Sequence, residues 1–115
     1  MADLVNIGLT NTTHETASSL LRFFDSLIDV ARFAFAYAIR ENLIYDYDNE
    51  YLEAKRSVWN VGSLDSDGFM SILVQTFYGN TDEPYKTIER LINLGLLRIG
   101  KSIDSEGLTS ISKWL

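Results

Sequence analysis

The segment Asp29–Asn42, DVARFAFAYAIREN, restricts the fold of this chain more than any other stretch. Apolar side chains occupy almost every position from Val30 to Ile39, and the alanines among them are the strongest helix formers. Asp29 is a good N-cap residue, so we expect a helix to begin there. A helix that is apolar on nearly every side has to be covered by other elements. The segment therefore predicts a packed fold built around a central helix.

Composition supports a folded chain and narrows its possible functions. The 115 residues and the 46% hydrophobic content suit a single domain, 1–115, with its own core. The absence of cysteine excludes disulfides, Cys-based zinc sites and a Cys nucleophile. A net charge of −6 works against non-specific binding to nucleic acid or anionic membrane. No signal-peptide pattern and no apolar run of about 18 residues is visible, so we expect a cytoplasmic protein without a membrane segment.

Two further elements are predicted before the central helix. Leu4–Thr10, LVNIGLT, alternates apolar residues with polar residues or glycine, which is typical of a short strand with one buried face. Asn11–Ser26 has helical apolar spacing, and Thr12 followed by Glu15 matches a capping box. A lone strand cannot stand, so it requires a partner strand. Either a later strand of the chain or a second copy supplies it, and we expect the second copy.

The remaining chain is divided into a connector, 43–68, and a helical C-terminal extension, 69–115. The connector mixes tyrosines with acidic residues and ends in a glycine-containing loop. Gly68–Tyr78 is predicted to be a short apolar helix. A second helix is predicted to begin at Thr81–Pro84, because capping residues, first-turn acids and a first-turn proline all indicate a helix start there. Gly95 inside that helix indicates a close helix crossing, because glycine costs about 1 kcal/mol there relative to alanine.

No specific catalytic pattern is present in the sequence. The phosphate-binding, dinucleotide-binding, zinc-protease and nucleophile-elbow motifs are all absent. The single histidine, His14, falls in the first turn of the first predicted helix, where an exposed structural role is the simpler interpretation. The carboxylates are numerous but are not grouped. We therefore expect a protein that is not an enzyme and that has no cofactor and no metal site.

The order of a strand, a capped helix and an apolar helix over about Leu4–Asn42 resembles the ribbon-helix-helix family of the Arc and MetJ type. In that family, strands from two subunits pair antiparallel and enter the major groove of DNA. The resemblance implies a homodimer that binds double-stranded DNA. Its implied DNA contacts are Leu4, Asn6 and Gly8 on the strand, and Arg32 on the apolar helix as a phosphate contact. The simpler interpretation of Arg32 is a solvent-facing residue at the edge of that helix. Its implied dimer-interface residues are Val5, Ile7, Leu9, Phe33, Phe35 and Tyr37.

The predicted fold class is mainly α with one short N-terminal β-strand, a β-α-α core and C-terminal helices. The leading functional hypothesis is a small homodimeric, DNA-associated protein with a regulatory role. The alternative is an acidic protein–protein interaction module or adaptor subunit that does not bind DNA. The acidic charge and the tyrosine-rich connector favour this alternative, because tyrosine is enriched at interfaces. An acidic mimic of nucleic acid and a metal-dependent enzyme rank below both.

Overall fold

A computed structural model describes residues 3–43 and 55–106, with side chains described up to Ile103. The fold is mainly α with a short β-strand near the N-terminus, as the sequence predicts. A 3-10 turn, Leu21–Phe23, lies between the first two helices. The elements are β1 Asn6–Leu9, α1 Asn11–Leu20, α2 Leu27–Arg40, β2 Arg56–Asn60, α3 Val61–Leu64, α4 Phe69–Tyr78 and α5 Pro84–Glu106.

Helix α5 is the element that connects the others, because it packs against β1, α1, α2 and α4. All positions from Leu91 to Leu96 are buried, so its central turns are enclosed on every side. Helix α2 supplies the opposite half of the core and is buried at Val30, Ala31, Ala34, Phe35 and Ala38. The core therefore lies between two long helices, and the apolar stretch that the sequence makes central is one of this pair.

The α2–α5 crossing confirms the close approach that Gly95 predicts. A Cβ atom at Gly95 would collide with the carbonyl oxygen of Ala34 and lie 3.0 Å from its carbonyl carbon. Gly95 and Ala34 are both buried at this crossing. Only a residue without a side chain fits here, so the helix-propensity cost of glycine is offset by closer packing of the two helices.

The helix starts differ slightly from the prediction. Thr10, not Thr12, caps α1: its hydroxyl accepts from the Thr13 amide at 3.1 Å, and the Thr13 hydroxyl accepts from the Thr10 amide at 2.9 Å. Ser26 caps α2, and its hydroxyl accepts from the Asp29 amide at 3.3 Å. Both differences have the same cause. Several Ser, Thr and Asp residues near each helix start are good N-caps, and the sequence does not show which of them is used.

Strand β1 pairs antiparallel with β2 of the same chain, so the expectation that a second copy supplies its partner strand is wrong. In this register Ile7 faces Trp59 and Gly8 faces Ser57, which leaves Val58 as an extra residue on β2. Such a bulge twists a strand and interrupts its edge. Strand β2 was not predicted, because its sequence RSVWN lies in a segment read as a polar connector.

The second edge of β1 is closed by side chains of α5. The Gly8 amide donates to the Glu89 carboxylate at 2.9 Å, and the Gly8 carbonyl accepts from the Asn93 amide group at 3.0 Å. Lys55 lies 3.5 Å from the other Glu89 oxygen. With β2 on one side and α5 on the other, β1 has no free edge at Gly8 for another strand. The predicted pairing of two copies through β1 therefore has no free edge at this position.

Candidate functional site

The residues implied as DNA contacts are not brought together in one site. Asn6 is exposed and lies opposite the exposed Asn60 on β2. Gly8 is buried, with both backbone groups bonded to α5, so it presents nothing to a DNA groove. Leu4 is half-buried. Arg32 is exposed on α2, where its guanidinium donates to the Leu64 carbonyl at 3.0 Å.

Most residues implied as dimer contacts lie in the core of a single chain. Ile7, Leu9 and Phe35 are at most 2% exposed, and Tyr37 is 7% exposed. These four side chains therefore belong mainly to the core, although Phe35 and Tyr37 each form part of the wall of a surface cavity described below. Phe33 is half-buried, and Val5 is 65% exposed. The interface residues therefore have to be sought elsewhere.

The described residues lack a membrane-spanning helix and a cluster of metal ligands. Within residues 3–43 and 55–106, none of the helices has the length and apolar character needed to cross a bilayer. No group of three or more His, Asp or Glu side chains suited to a metal ion occurs in these ranges. Much of the tyrosine- and acid-rich connector, residues 44–54, lies outside the described residues.

Helix α4 carries the largest set of exposed apolar side chains in the described structure. Phe69, Ile72 and Phe77 are 57%, 59% and 58% exposed, and we call these three residues the α4 face. The helix FMSILVQTFY contains no charged residue at all. Its opposite side is buried against the core through Met70 and Val74. Solvent-facing sides of helices are normally polar or charged, whereas the exposed side of α4 consists of three large apolar residues and the uncharged Thr76.

A groove between α2 and α4 adjoins the α4 face. Its cavity has a volume of about 270 Å³, and we call it the α2/α4 groove. The apolar lining consists of Phe35, Ala36, Phe69, Met70 and Leu73. Arg32, Asp65 and Asp67 supply the polar lining. The α4 face and the groove share Phe69, so they form one continuous apolar surface.

The apolar surface continues along α2 beyond the groove. Ala36 also lines a second cavity of about 240 Å³, together with Phe33, Tyr37 and Arg40. The Phe33 and Tyr37 rings are 6.5 Å apart, and the Arg40 guanidinium lies 5.4 Å from the centre of the Tyr37 ring. Such aromatic and arginine side chains are those enriched in protein–protein interfaces. The candidate surface therefore spans the outer sides of α2 and α4.

The buried carboxylate of Asp65 fixes the position of α4. Asp65 is 5% exposed, and it accepts from the Met70 amide at 2.9 Å and the Ser71 amide at 3.1 Å. The Tyr85 hydroxyl of α5 also donates to it, at 3.1 Å. A carboxylate at a helix N-terminus satisfies free amides and complements the helix dipole. Because Asp65 joins α4 to α5, the α4 face is presented on a rigid element.

The charges around the groove are opposite in sign and separate. Arg32 lies on α2, and Asp67 lies just before α4, where it accepts from the Phe69 amide at 3.0 Å. Among the described residues, the ion pairs within 4 Å do not include either of them. The groove thus has one cation, Arg32, and two carboxylates, of which Asp65 is buried, around an apolar floor.

The sequence predicts Gly68–Tyr78 only as a short apolar helix, and this prediction does not say that Phe69, Ile72 and Phe77 are exposed. The sequence did contain a signal, because Gly68–Tyr78 has no charged residue at all. A helix that buries only one side normally carries charged residues on the other. The chain matches no protein-family model, and no curated protein or solved structure is similar to it.

Proposed function

We propose that this protein is a protein–protein interaction module that binds its partner through the α4 face. The observation that carries the proposal is a helix without charge whose outer side exposes Phe69, Ile72 and Phe77. Contiguous exposed apolar surface is costly in water and is typical of interaction sites. The proposal corresponds to the interaction-module hypothesis from sequence, with the contact surface moved from the connector to α4.

The surroundings of the α4 face support a docking role. Large aromatic side chains supply most of the binding energy of interfaces, and two of the three exposed residues are phenylalanines. The adjoining groove gives the apolar centre that interfaces need, and Arg32 and Asp67 give it a charged rim. The cap at Asp65 holds α4 in place before binding, which limits the ordering cost of association.

A quantitative affinity purification from the native host tests this proposal. Ile72→Glu places a charge in the α4 face, while Val5→Glu makes the same change at a residue of similar exposure outside it. We expect the Val5 variant to retain the partners of the wild type and the Ile72 variant to lose at least one of them. The proposal fails if all three proteins recover the same partners in the same amounts.

DNA binding is a second candidate, and one observation favours it. Asn6 and Asn60 lie opposite each other and are both exposed on a two-stranded ribbon formed within one chain. Such a ribbon fits the major groove, and Asn6 can bond adenine bidentately, whereas the side-chain oxygen of Asn60 already accepts from the Gly62 amide at 2.8 Å. Titration of the protein into duplex DNA at low and high salt tests it. Absence of binding at low salt would exclude it, because phosphate contacts are strongest there.

A further inference from the structure

We propose that Asp67 is a site of spontaneous isomerisation to isoaspartate, and that local opening at the start of α4 controls the rate of this modification. Asp67–Gly68 is the only place in the 115-residue chain where an aspartate or asparagine precedes a glycine. Glycine has no side chain to shield its amide nitrogen, so this nitrogen can approach the carboxyl carbon of the preceding side chain closely. The inference goes beyond the proposed function and does not depend on a partner of the α4 face.

The reaction uses only the atoms of this bond and water. The Gly68 nitrogen attacks Cγ of the protonated Asp67 carboxyl group and forms a C–N bond. The nitrogen loses its proton, one carboxyl oxygen leaves as water, and the product is a succinimide ring. A second water molecule then opens the ring at either of its two carbonyls. One opening restores aspartate, and the other gives isoaspartate, which adds one carbon to the main chain directly before α4.

The fold keeps this reactive pair accessible. Asp67 is exposed, and a Cβ atom at Gly68 would meet no atom within 4 Å apart from its chain neighbours. Water therefore reaches the bond without obstruction. Gly68 has a φ of 74°, in the left-handed region that residues with a side chain rarely adopt. The backbone conformation before α4 thus favours glycine at the position that makes Asp67 reactive.

Both reacting groups are held by hydrogen bonds in the folded state. The Gly68 amide donates to the Asp65 carbonyl at 3.0 Å. The Asp67 carboxylate accepts from the Phe69 amide, also at 3.0 Å. The nitrogen and the carboxyl group have to leave these two bonds before they can react with each other. The folded state therefore slows the isomerisation, and the rate depends on how often these bonds open.

The side chain of Asp65 controls this opening. Its buried carboxylate accepts from the Met70 and Ser71 amides at 2.9 Å and 3.1 Å, so it fixes the first turn of α4. Within that helix, Met70 and Val74 are the buried residues. Elements with few buried contacts open locally while the rest of the fold stays intact. We expect the reaction to proceed from such a locally open state, and not from the fully unfolded chain.

The first test compares the whole chain in native buffer with the same chain unfolded in guanidinium chloride. Peptide mapping by liquid chromatography and mass spectrometry separates the aspartate and isoaspartate peptides, which have equal masses. We expect isoaspartate at position 67 in the unfolded chain, and a rate at least about tenfold lower in native buffer, because the bonds open only part of the time. The proposal is overturned by an unfolded chain without isoaspartate at 67, or by equal rates in the two conditions.

Two variants then separate local opening from global unfolding. Asp65→Ala removes the side-chain cap but keeps the Asp65 carbonyl and both reacting groups. The native rate should rise about 2- to 30-fold, the equilibrium factor that corresponds to the loss of a cap. Asn93→Ala lowers the stability of the whole fold through the contact of α5 with β1, far from the reacting bond. Its native rate should stay within about twofold of the wild type.

Hydrogen exchange of the Gly68 amide gives an independent measure of the opening, because this amide must leave its bond in both processes. The exchange rate in Asp65→Ala should rise by the same factor as the isomerisation rate. Circular dichroism checks that the variants are folded. If Asp65→Ala is not, Tyr85→Phe replaces it, since it removes one bond to Asp65 and should speed both processes about twofold or more. Equal acceleration in the cap variant and in Asn93→Ala overturns the local mechanism, and a native protein without isoaspartate in either the wild type or the cap variant overturns the proposal.

Discussion

The Thr13 hydroxyl donates a hydrogen bond of 2.7 Å to the amide oxygen of Asn93, and both residues are fully buried. The amide nitrogen of Asn93 donates in turn to the carbonyls of Gly8 and Glu89, at 3.0 Å and 2.8 Å. One side chain of α5 therefore bonds to the edge of β1 and to the first turn of α1. Buried polar networks that keep their bonds specify one packing arrangement. This network fixes how the N-terminal elements lie on α5.

The first prediction concerns this network. Asn93→Ala leaves the Gly8 carbonyl without its partner in a buried site, and it removes one acceptor from the Thr13 hydroxyl, which keeps its contacts with Thr10. A buried polar group that loses its partner costs about 1–3 kcal/mol, so we expect the free energy of unfolding to fall by about 1–3 kcal/mol. Urea denaturation measures it. In a double-mutant cycle with Thr13→Val, the coupling energy should exceed about 0.5 kcal/mol. A stability loss typical of a surface substitution would contradict the role given to Asn93.

The second prediction uses two glycines of α5 as a matched pair. Gly95→Ala should destabilise the fold by about 1–3 kcal/mol, because the new Cβ meets the backbone of Ala34 and the helices have to separate. At Gly100 the nearest atom is the Thr16 hydroxyl, 2.8 Å away, and a side chain can rotate. Gly100→Ala should therefore be close to neutral, since alanine gains helix propensity. Thermal unfolding compares the two variants. Equal effects would show that the α2–α5 crossing does not depend on Gly95.

The third prediction separates two phenylalanines of α2. Phe35 is 2% exposed, whereas Phe33 is half-buried and packs beside Phe24, with ring centres 5.2 Å apart. Phe35→Ala should cost about 3–5 kcal/mol, and Phe33→Ala should cost clearly less, because less apolar area leaves the core. Denaturant unfolding gives both values. A larger loss for Phe33 than for Phe35 would mean that the two sides of α2 are assigned wrongly.

Periodicity predicted the local elements well because it follows from each segment alone. The strand near the N-terminus, the helices that became α1, α2, α4 and α5, and the crossing at Gly95 were all visible in the sequence. Cap positions were wrong by two and three residues, because several capping residues lie close together near Thr10 and Ser26. These errors are local and do not change the topology.

The pairing of β1 could not be read from sequence, because it joins segments far apart in the chain. The partner strand Arg56–Asn60 is short, and only Trp59 is buried in it, so its periodic signal is weak. The other edge of β1 is closed by Asn93 and Glu89. In the sequence these two residues are only polar positions on an amphipathic helix, so their bonds to β1 could not be predicted. The α4 face was missed for a related reason: an apolar residue does not show whether the fold covers it.

The last prediction concerns the pH dependence of the contact between Tyr85 and Asp65, which holds α4 against α5. Burial raises the pKa of Tyr85 above its ordinary value of 10.0, and the negative charge of Asp65 and its hydrogen bond raise this pKa further. A raised pKa means that the folded state holds the proton more tightly than the unfolded state. The contribution of Tyr85 to stability is therefore complete below about pH 10 and is lost as the pH rises through the folded-state pKa.

The stability difference between the wild type and Tyr85→Phe should be constant near neutral pH and should shrink in strongly alkaline solution. The other tyrosines contribute equally to both proteins, so their titration does not affect this difference. In an Asp65→Asn background, which keeps the shape but removes the charge, the folded-state pKa of Tyr85 moves back toward its ordinary value, so the shrinkage should be smaller and should end at a lower pH. Urea denaturation of the four proteins across this pH range measures both effects, and a difference that stays constant into strong alkali would show that Tyr85 is not coupled to Asp65.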